Sequence, residues 1–170
     1  MNDGKQIELI PLQQKDLPVL KKEIRESFSV TVTQVFGAPD KGPIPSDAEI
    51  DNSLCAKNAR AFFIAEGGRH VGGAIVCPDA ESGVSSLDIF YIVPDAHSRG
   101  IGLRAWQAIE AAFPLTRRWV LYTPCFEKRN IHFYVNKCGF RIVEYFNAHH
   151  PDPHGMPGGE EFFRFEKQMR

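Results

Sequence analysis

Residues 92–102, Ile92-Val93-Pro94-Asp95-Ala96-His97-Ser98-Arg99-Gly100-Ile101-Gly102, decide the reading of this chain, because an apolar strand here runs into a glycine-bearing turn that opens a helix. In outline that junction is an anion site. Glycine lets the backbone come close to phosphate oxygens, and the unpaired amides of a first helical turn face them with the positive end of the helix dipole. His97 and Arg99 would add side-chain donors. A tight turn without a ligand is the plain alternative, since short glycine motifs also occur without function.

On the N-terminal side of this junction, strand patterns follow one another quickly: 61–66, a Gly67-Gly68 turn, 70–77, a turn over 78–83, and 84–93. Turns this short make antiparallel neighbours. On the C-terminal side a helix to about residue 113 leads through 114–118 into a strand over 119–123, and strand, helix and strand form one parallel unit. Before all of these, Leu17, Leu20, Ile24 and Phe28 share one face of a helix over 15–28. Residues 37–46 are dense in turn-formers, and Ser46 with Glu49 then forms a capping box that starts a second helix, to about residue 59. A helix over 128–138 closes on Gly139, and strands 140–146 and 162–167 flank a Pro/Gly/His-rich loop over 147–161. The expected fold is α/β, of the α+β type, with one domain over 1–170 and a mixed, mostly antiparallel sheet of about seven strands with about four helices.

Length and composition agree with one soluble domain. A chain of 170 residues buries one sizeable core, and 43 % hydrophobic with 24 % charged residues is ordinary for a globular protein. The formal charge of -1 gives no field that would favour a polyanion, so no nucleic-acid partner is expected. Residues 1–6 are polar and no apolar run approaches a membrane span, so the expectation is a cytoplasmic protein without a membrane partner. Cys55, Cys77, Cys125 and Cys138 form no CxxC pair and read as reduced thiols.

Residues 100–105 also fit the dinucleotide pattern G-x-G-x-x-A. That pattern belongs after a strand in a run of parallel units, with an acidic residue ending the next strand, whereas here the next strand ends Leu121-Tyr122-Thr123-Pro124. A nicotinamide or flavin enzyme therefore fits poorly, and no P-loop sequence is present.

The segment from about Leu87 to Phe140 resembles the core of the GNAT acetyltransferase superfamily. Its [QR]-x-x-G-x-[GA] loop falls on His97-Ser98-Arg99-Gly100-Ile101-Gly102, and its aromatic signature on Phe133-Tyr134-Val135-Asn136-Lys137-Cys138-Gly139-Phe140. Two departures stand out. His97 occupies a place where Gln or Arg is usual, and the Asn that many relatives carry seven residues before the tyrosine is here Glu127, with an Asn at Asn130 instead.

The resemblance implies acetyl-CoA as acyl donor, with its phosphates on residues 97–102, its pantetheine arm on the backbone of Ile92 and Val93, and Asn130 beside that arm. A neutral amine attacks the thioester directly, without a covalent enzyme intermediate, and a backbone amide holds the developing oxyanion. Tyr134 stands beside the thiolate leaving group. Asp88 is the first candidate for the base, by strand parity with Phe90 and Ile92; Glu66, Tyr122 and Glu127 are unranked alternatives. Asp40, Asp47, Glu49 and Asp51 could attract a cationic amine or simply serve helix capping. His149, His150 and His154 suggest a metal, but Pro151 and Pro153 prevent the helix that would align them, so none is expected, and the loop is read as shaping the acceptor cleft or a homodimer contact. The expected partner is a small-molecule amine, and the rival reading is a non-catalytic acyl-CoA sensor of the same fold.

Overall fold

A computed structural model of the chain describes residues 5–37, 45–97, 100–153 and 161–170. Ser98, Arg99, Asp40 and His154, named above, lie outside the described residues. In chain order the elements are β1 (Ile7–Pro11), α1 (Leu17–Phe36), α2 (Asp47–Cys55), β2 (Arg60–Glu66), β3 (Arg69–Cys77), β4 (Val84–Ile92), α3 (Ile101–Ala112), β5 (Arg118–Pro124), α4 (Lys128–His132, continued by a π-helical turn Phe133–Lys137), β6 (Arg141–Phe146) and β7 (Phe162–Gln168). They form one sheet of seven strands in the order β1-β2-β3-β4-β5-β7-β6, and only β4 and β5 run parallel. The expected fold class is what the chain adopts.

Three elements depart from the sequence reading, the first being α2, which ends at Cys55 rather than at about residue 59. β1, with Ile7 and Leu9 alternating against polar neighbours, pairs antiparallel with β2 and was not among the expected strands. Helix α1 continues past residue 28, because Val32 repeats the apolar stripe of Leu20, Ile24 and Phe28 one turn further on. The capping box of α2 is present: the Glu49 amide donates to Ser46 Oγ at 3.3 Å and the Ser46 amide to Glu49 Oε2 at 2.6 Å.

Each face of the sheet has its own core. Trp106 of α3, Trp119 of β5, Phe140 and Phe165 of β7 are fully buried on one face, with the two indoles packed edge to face at 5.1 Å. Leu20, Ile24 and Ile50 of α1 and α2 cover Ile75 and Ile89 on the other.

The strand pair at the centre sets up the functional cleft. β4 and β5 are paired only through Val84–Arg118, Ser85–Trp119 and Ser86–Val120, and beyond Ser86 they part. A bulge in β4 marks the separation: Ile75 faces Ile89 and Val76 faces Leu87, so Asp88 is the extra, unpaired residue. The bulge reverses the side-chain alternation. Leu87, Phe90 and Ile92 therefore pack on the α3 face while Ile89 and Tyr91 pack on the α1 face. Asp88 does not share the parity of Phe90 and Ile92 that a regular strand would give it. Gly73 leaves room for this geometry, since a Cβ there would lie 2.6 Å from the Tyr91 hydroxyl.

Candidate active site

Where β4 and β5 part, a cleft of about 480 Å³ opens between α1, the end of β4, the start of α3 and α4 with its π-helical turn. At the α3 end the lining includes Gly100, Ile101, Gly102 and Leu103. Gly100 is the N-cap of α3 with φ +69°, in the left-handed region that glycine enters freely. A Cβ on it would meet nothing within 4 Å, so Gly100 is required for its backbone conformation rather than for space. Gly102 is the reverse case: a Cβ there would stand 3.3 Å from the Phe133 ring. The amides of Ile101, Gly102 and Leu103 open the helix without intrahelical acceptors and carry the positive end of its dipole.

His97 is placed differently from the expectation that its ring would face phosphate. Its Nε2 lies 2.7 Å from the Ile92 carbonyl, to which it donates, and Nδ1 lies 3.3 Å from the Arg129 guanidinium. The ring thus bridges the end of β4 to α4. Val93 also departs from its expected role on the pantetheine arm. Its amide donates to Val71 at 2.9 Å and its carbonyl accepts from the Ala96 amide at 2.9 Å, which engages both backbone groups. By the alternation of an antiparallel ladder, the backbone groups that turn toward the parted side are those of Phe90 and Ile92.

Tyr134 lies in the π-helical turn, where the Cys138 amide reaches back five residues to the Phe133 carbonyl at 3.0 Å. The extra residue in that turn helps bring the Tyr134 ring into the cleft wall, between Phe133 at 5.2 Å and Phe140 at 5.7 Å. Burial, followed by the nearby Cys138 thiol and Glu127 carboxylate, pushes the phenol pKa well up. Tyr134 therefore stays protonated at neutral pH. Phe133 in turn stacks parallel to Phe90 at 6.0 Å and 7°, which gives the cleft an apolar waist.

The four candidates for a base separate clearly. Asp88 is exposed and takes hydrogen bonds from Ser86 Oγ at 2.7 Å and Cys77 Sγ at 3.4 Å, outside the cleft lining. Glu66 is ion-paired with Arg104, and Tyr122 is 41 % exposed on β5. Glu127 is 4 % exposed and lines the cleft. Asn130 Nδ2 approaches its Oε2 at 3.4 Å, and burial raises its pKa above the usual carboxylate range, opposed by the nearby Thr31 hydroxyl. Asn130 also lines the cleft, so its position beside Glu127 is compatible with, but different from, a role on the cofactor arm alone.

Other groups singled out in the sequence are engaged elsewhere. Asp47 pairs with Arg25, Asp51 with Lys21 at 2.6 Å, and Glu49 completes its cap, so all three join or start helices α1 and α2. His150 is bound to Glu144 at 2.8 Å and stacks on Phe146, and His149 is exposed. Sequence reasoning gave no role to the contact that fixes α1 beneath the cleft. The Tyr91 hydroxyl donates to Glu23 Oε2 at 2.6 Å, and His70 Nε2 meets the same carboxylate at 2.7 Å. Among the described residues no helix is long and apolar enough to cross a membrane.

Comparison with known proteins agrees with this arrangement. Residues 22–140 match the model of the acetyltransferase (GNAT) family. An uncharacterized protein, YrkN of Bacillus subtilis (strain 168), is 46 % identical over 168 residues, covering 93 % of this chain and 91 % of that one. An acetyltransferase from Thermus thermophilus shares the fold with a TM-score of 0.69 at 19 % identity, over 96 % of this chain and 97 % of that one. Spermidine N-acetyltransferase from Vibrio cholerae, solved with CoA and spermine, superposes with a TM-score of 0.66 at 14 % identity, over 96 % and 95 % of the two chains. With the parted β4–β5 pair, the glycine-opened α3 and the cleft tyrosine already in place, the family match over most of the chain settles membership: this chain belongs to the acetyltransferase (GNAT) family of acyl-transferring enzymes.

Proposed function

We propose that the protein transfers an acetyl group from acetyl-CoA to the primary amine of a small molecule, by direct attack in a ternary complex. The observation that carries this reading is the meeting, in one cleft, of the α3 amides, the open backbone edge formed by Phe90 and the Ile92 amide, and the protonated Tyr134. Acetyl-CoA fits that set. A pyrophosphate suits the amides of Ile101 and Gly102, where a side chain at position 102 would crowd Phe133. Its extended arm suits a strand edge with unpaired groups, and the Phe90–Phe133 stack supplies an apolar wall. CoA in the similarly folded Vibrio enzyme is in keeping with this assignment.

Within the chain, each step has a residue suited to it. A backbone amide on the open edge of β4 faces the acetyl oxygen and stabilises the charge that develops there. Tyr134 gives its proton to the departing sulfur, and the phenolate recovers one from the newly acylated nitrogen. The apolar waist excludes water from the thioester. A screen of primary amines with acetyl-CoA, followed by release of free thiol, tests the proposal. Acetylation of a small amine is expected; turnover only with peptide amino termini would replace the small-molecule acceptor by a protein one.

A further inference from the structure

Glu127 is the one carboxylate among the described residues that is nearly removed from water, at 4 % exposure. Among the less buried carboxylates, Glu66 pairs with Arg104, Glu110 with Lys167, and Glu144 and Glu166 share Arg164, while the half-buried Glu23 meets His70 and the Tyr91 hydroxyl. Glu127 has neutral ones, the Thr31 hydroxyl and the Asn130 amide, and no ion pair among the described residues. A buried carboxylate held this way is costly unless a cation joins it. In the same cleft lining, the buried Ser27 Oγ of α1 has no hydrogen-bond partner among the described residues. The site is therefore short of one positive charge and one hydrogen-bond partner.

We infer that Glu127 binds the acceptor's ammonium group and takes its proton, so that the acceptor is a primary alkylammonium whose amine end enters between α1 and Tyr134. This rests on the acetyl-transfer reading and supplies the substrate class and the base that reading lacks. The ammonium gives one proton to the Glu127 carboxylate, the freed nitrogen lone pair forms the bond to the acetyl carbon, and the carbon–sulfur bond breaks with its electron pair on sulfur. Tyr134 protonates that sulfur, the amide nitrogen returns a proton to Tyr134, and Glu127 releases its own to solvent. The net reaction frees one proton per acetylation. Ser27 and Thr31 are then positioning residues for the ammonium, with Thr31 acting through Glu127.

The surroundings of Glu127 define what a pH profile would report. Helix α1 presents Ser27, Phe28 and Thr31 to the cleft, none of which is ionisable. β4 presents Tyr91, the turn before α3 presents His97, and α4 with its π-helical turn presents Arg129, His132, Tyr134 and Lys137. Arg129 is directed at His97, and His132 at Asn136 at 2.8 Å.

The test uses n-butylammonium as probe, on the full-length wild type and on Glu127→Gln, which keeps the shape of the side chain. Binding to the CoA-saturated protein is followed by NMR, and acetylation of n-butylamine by thiol release from acetyl-CoA across pH. The expected result is saturable binding to the wild type that weakens about tenfold or more in Glu127→Gln as its charge-assisted hydrogen bond is lost. Acetylation is expected to fall by about 10²-fold in Glu127→Gln, with the low-pH limb of the wild-type profile gone and Glu127→Asp partly restoring both. Failure of the wild type to bind acetyl-CoA would defeat the underlying acetyl-transfer reading. Normal acetyl-CoA binding with n-butylammonium bound equally by both proteins, or by neither, would overturn the inference alone. Binding through Glu127 without acetylation at any pH would overturn its role as the base.

Discussion

The two ends of the cleft differ in what they are made of. At the α3 end the lining includes two glycines, Gly100 and Gly102, and the opening amides of residues 101–103, whereas at the α1 end it includes the polar side chains of Ser27, Thr31, Glu127 and Tyr134, from three separate segments. A backbone site tolerates few residue types, because a left-handed φ or a 3.3 Å approach selects glycine. A side-chain site can be rebuilt by single substitutions. The first kind of site suits a cofactor shared by many proteins, and the second suits an acceptor that differs from one to the next.

The largest expected effect lies at the side-chain end. Tyr134→Phe should lower turnover by about 10²-fold, measured as thiol release, with acetyl-CoA affinity nearly unchanged. Equal loss of both would break the division between the two ends. At the backbone end, Gly102→Val should weaken acetyl-CoA binding by about tenfold as the branched side chain presses on Phe133, while an acceptor amine binds as before. Gly100→Ala sharpens the contrast between conformation and space. It should cost about 1 kcal/mol of stability in a denaturant titration through its positive φ, because nothing crowds the added methyl.

The smallest effect runs in the opposite direction. Because burial raises the pKa of Glu127 in the folded protein, the unfolded chain ionises it at lower pH, and the folded state is penalised once pH exceeds the unfolded pKa. Glu127→Gln should therefore melt slightly higher than wild type at neutral pH. The gain should disappear as pH falls through the folded and then the unfolded pKa, where Glu127 is neutral in both states. A lower melting temperature for the variant at neutral pH would show that the carboxylate stabilises the fold rather than serving the cleft.

Much of the backbone end was legible in the sequence, because Gly100 and Gly102 are local requirements and the strand-turn-helix pattern around them is contiguous. The helix cap at Ser46 and Glu49 was legible for the same reason. The parity of Asp88 was not, since the bulge that displaces it depends on how β3 and β4 pair, which no alternation within 84–93 reveals. His97 was misdirected because its partner is the carbonyl of Ile92, a backbone group that carries no sequence signature. Glu127 could be noticed as an acid where many relatives carry Asn and as one of three unranked alternatives for the base, with nothing in the sequence to rank it. Its isolation from cations becomes visible once α1 brings Thr31 to its side of the cleft. β1 was overlooked because five residues with two inward side chains make a weak period.

The central claim is that this cleft takes acetyl-CoA, and isothermal titration of the purified protein with acetyl-CoA beside NADH tests it most directly. The account predicts a single saturable site for acetyl-CoA and none for NADH. Folded protein that binds NADH, or that binds neither, would contradict it and reduce residues 97–102 to an ordinary turn.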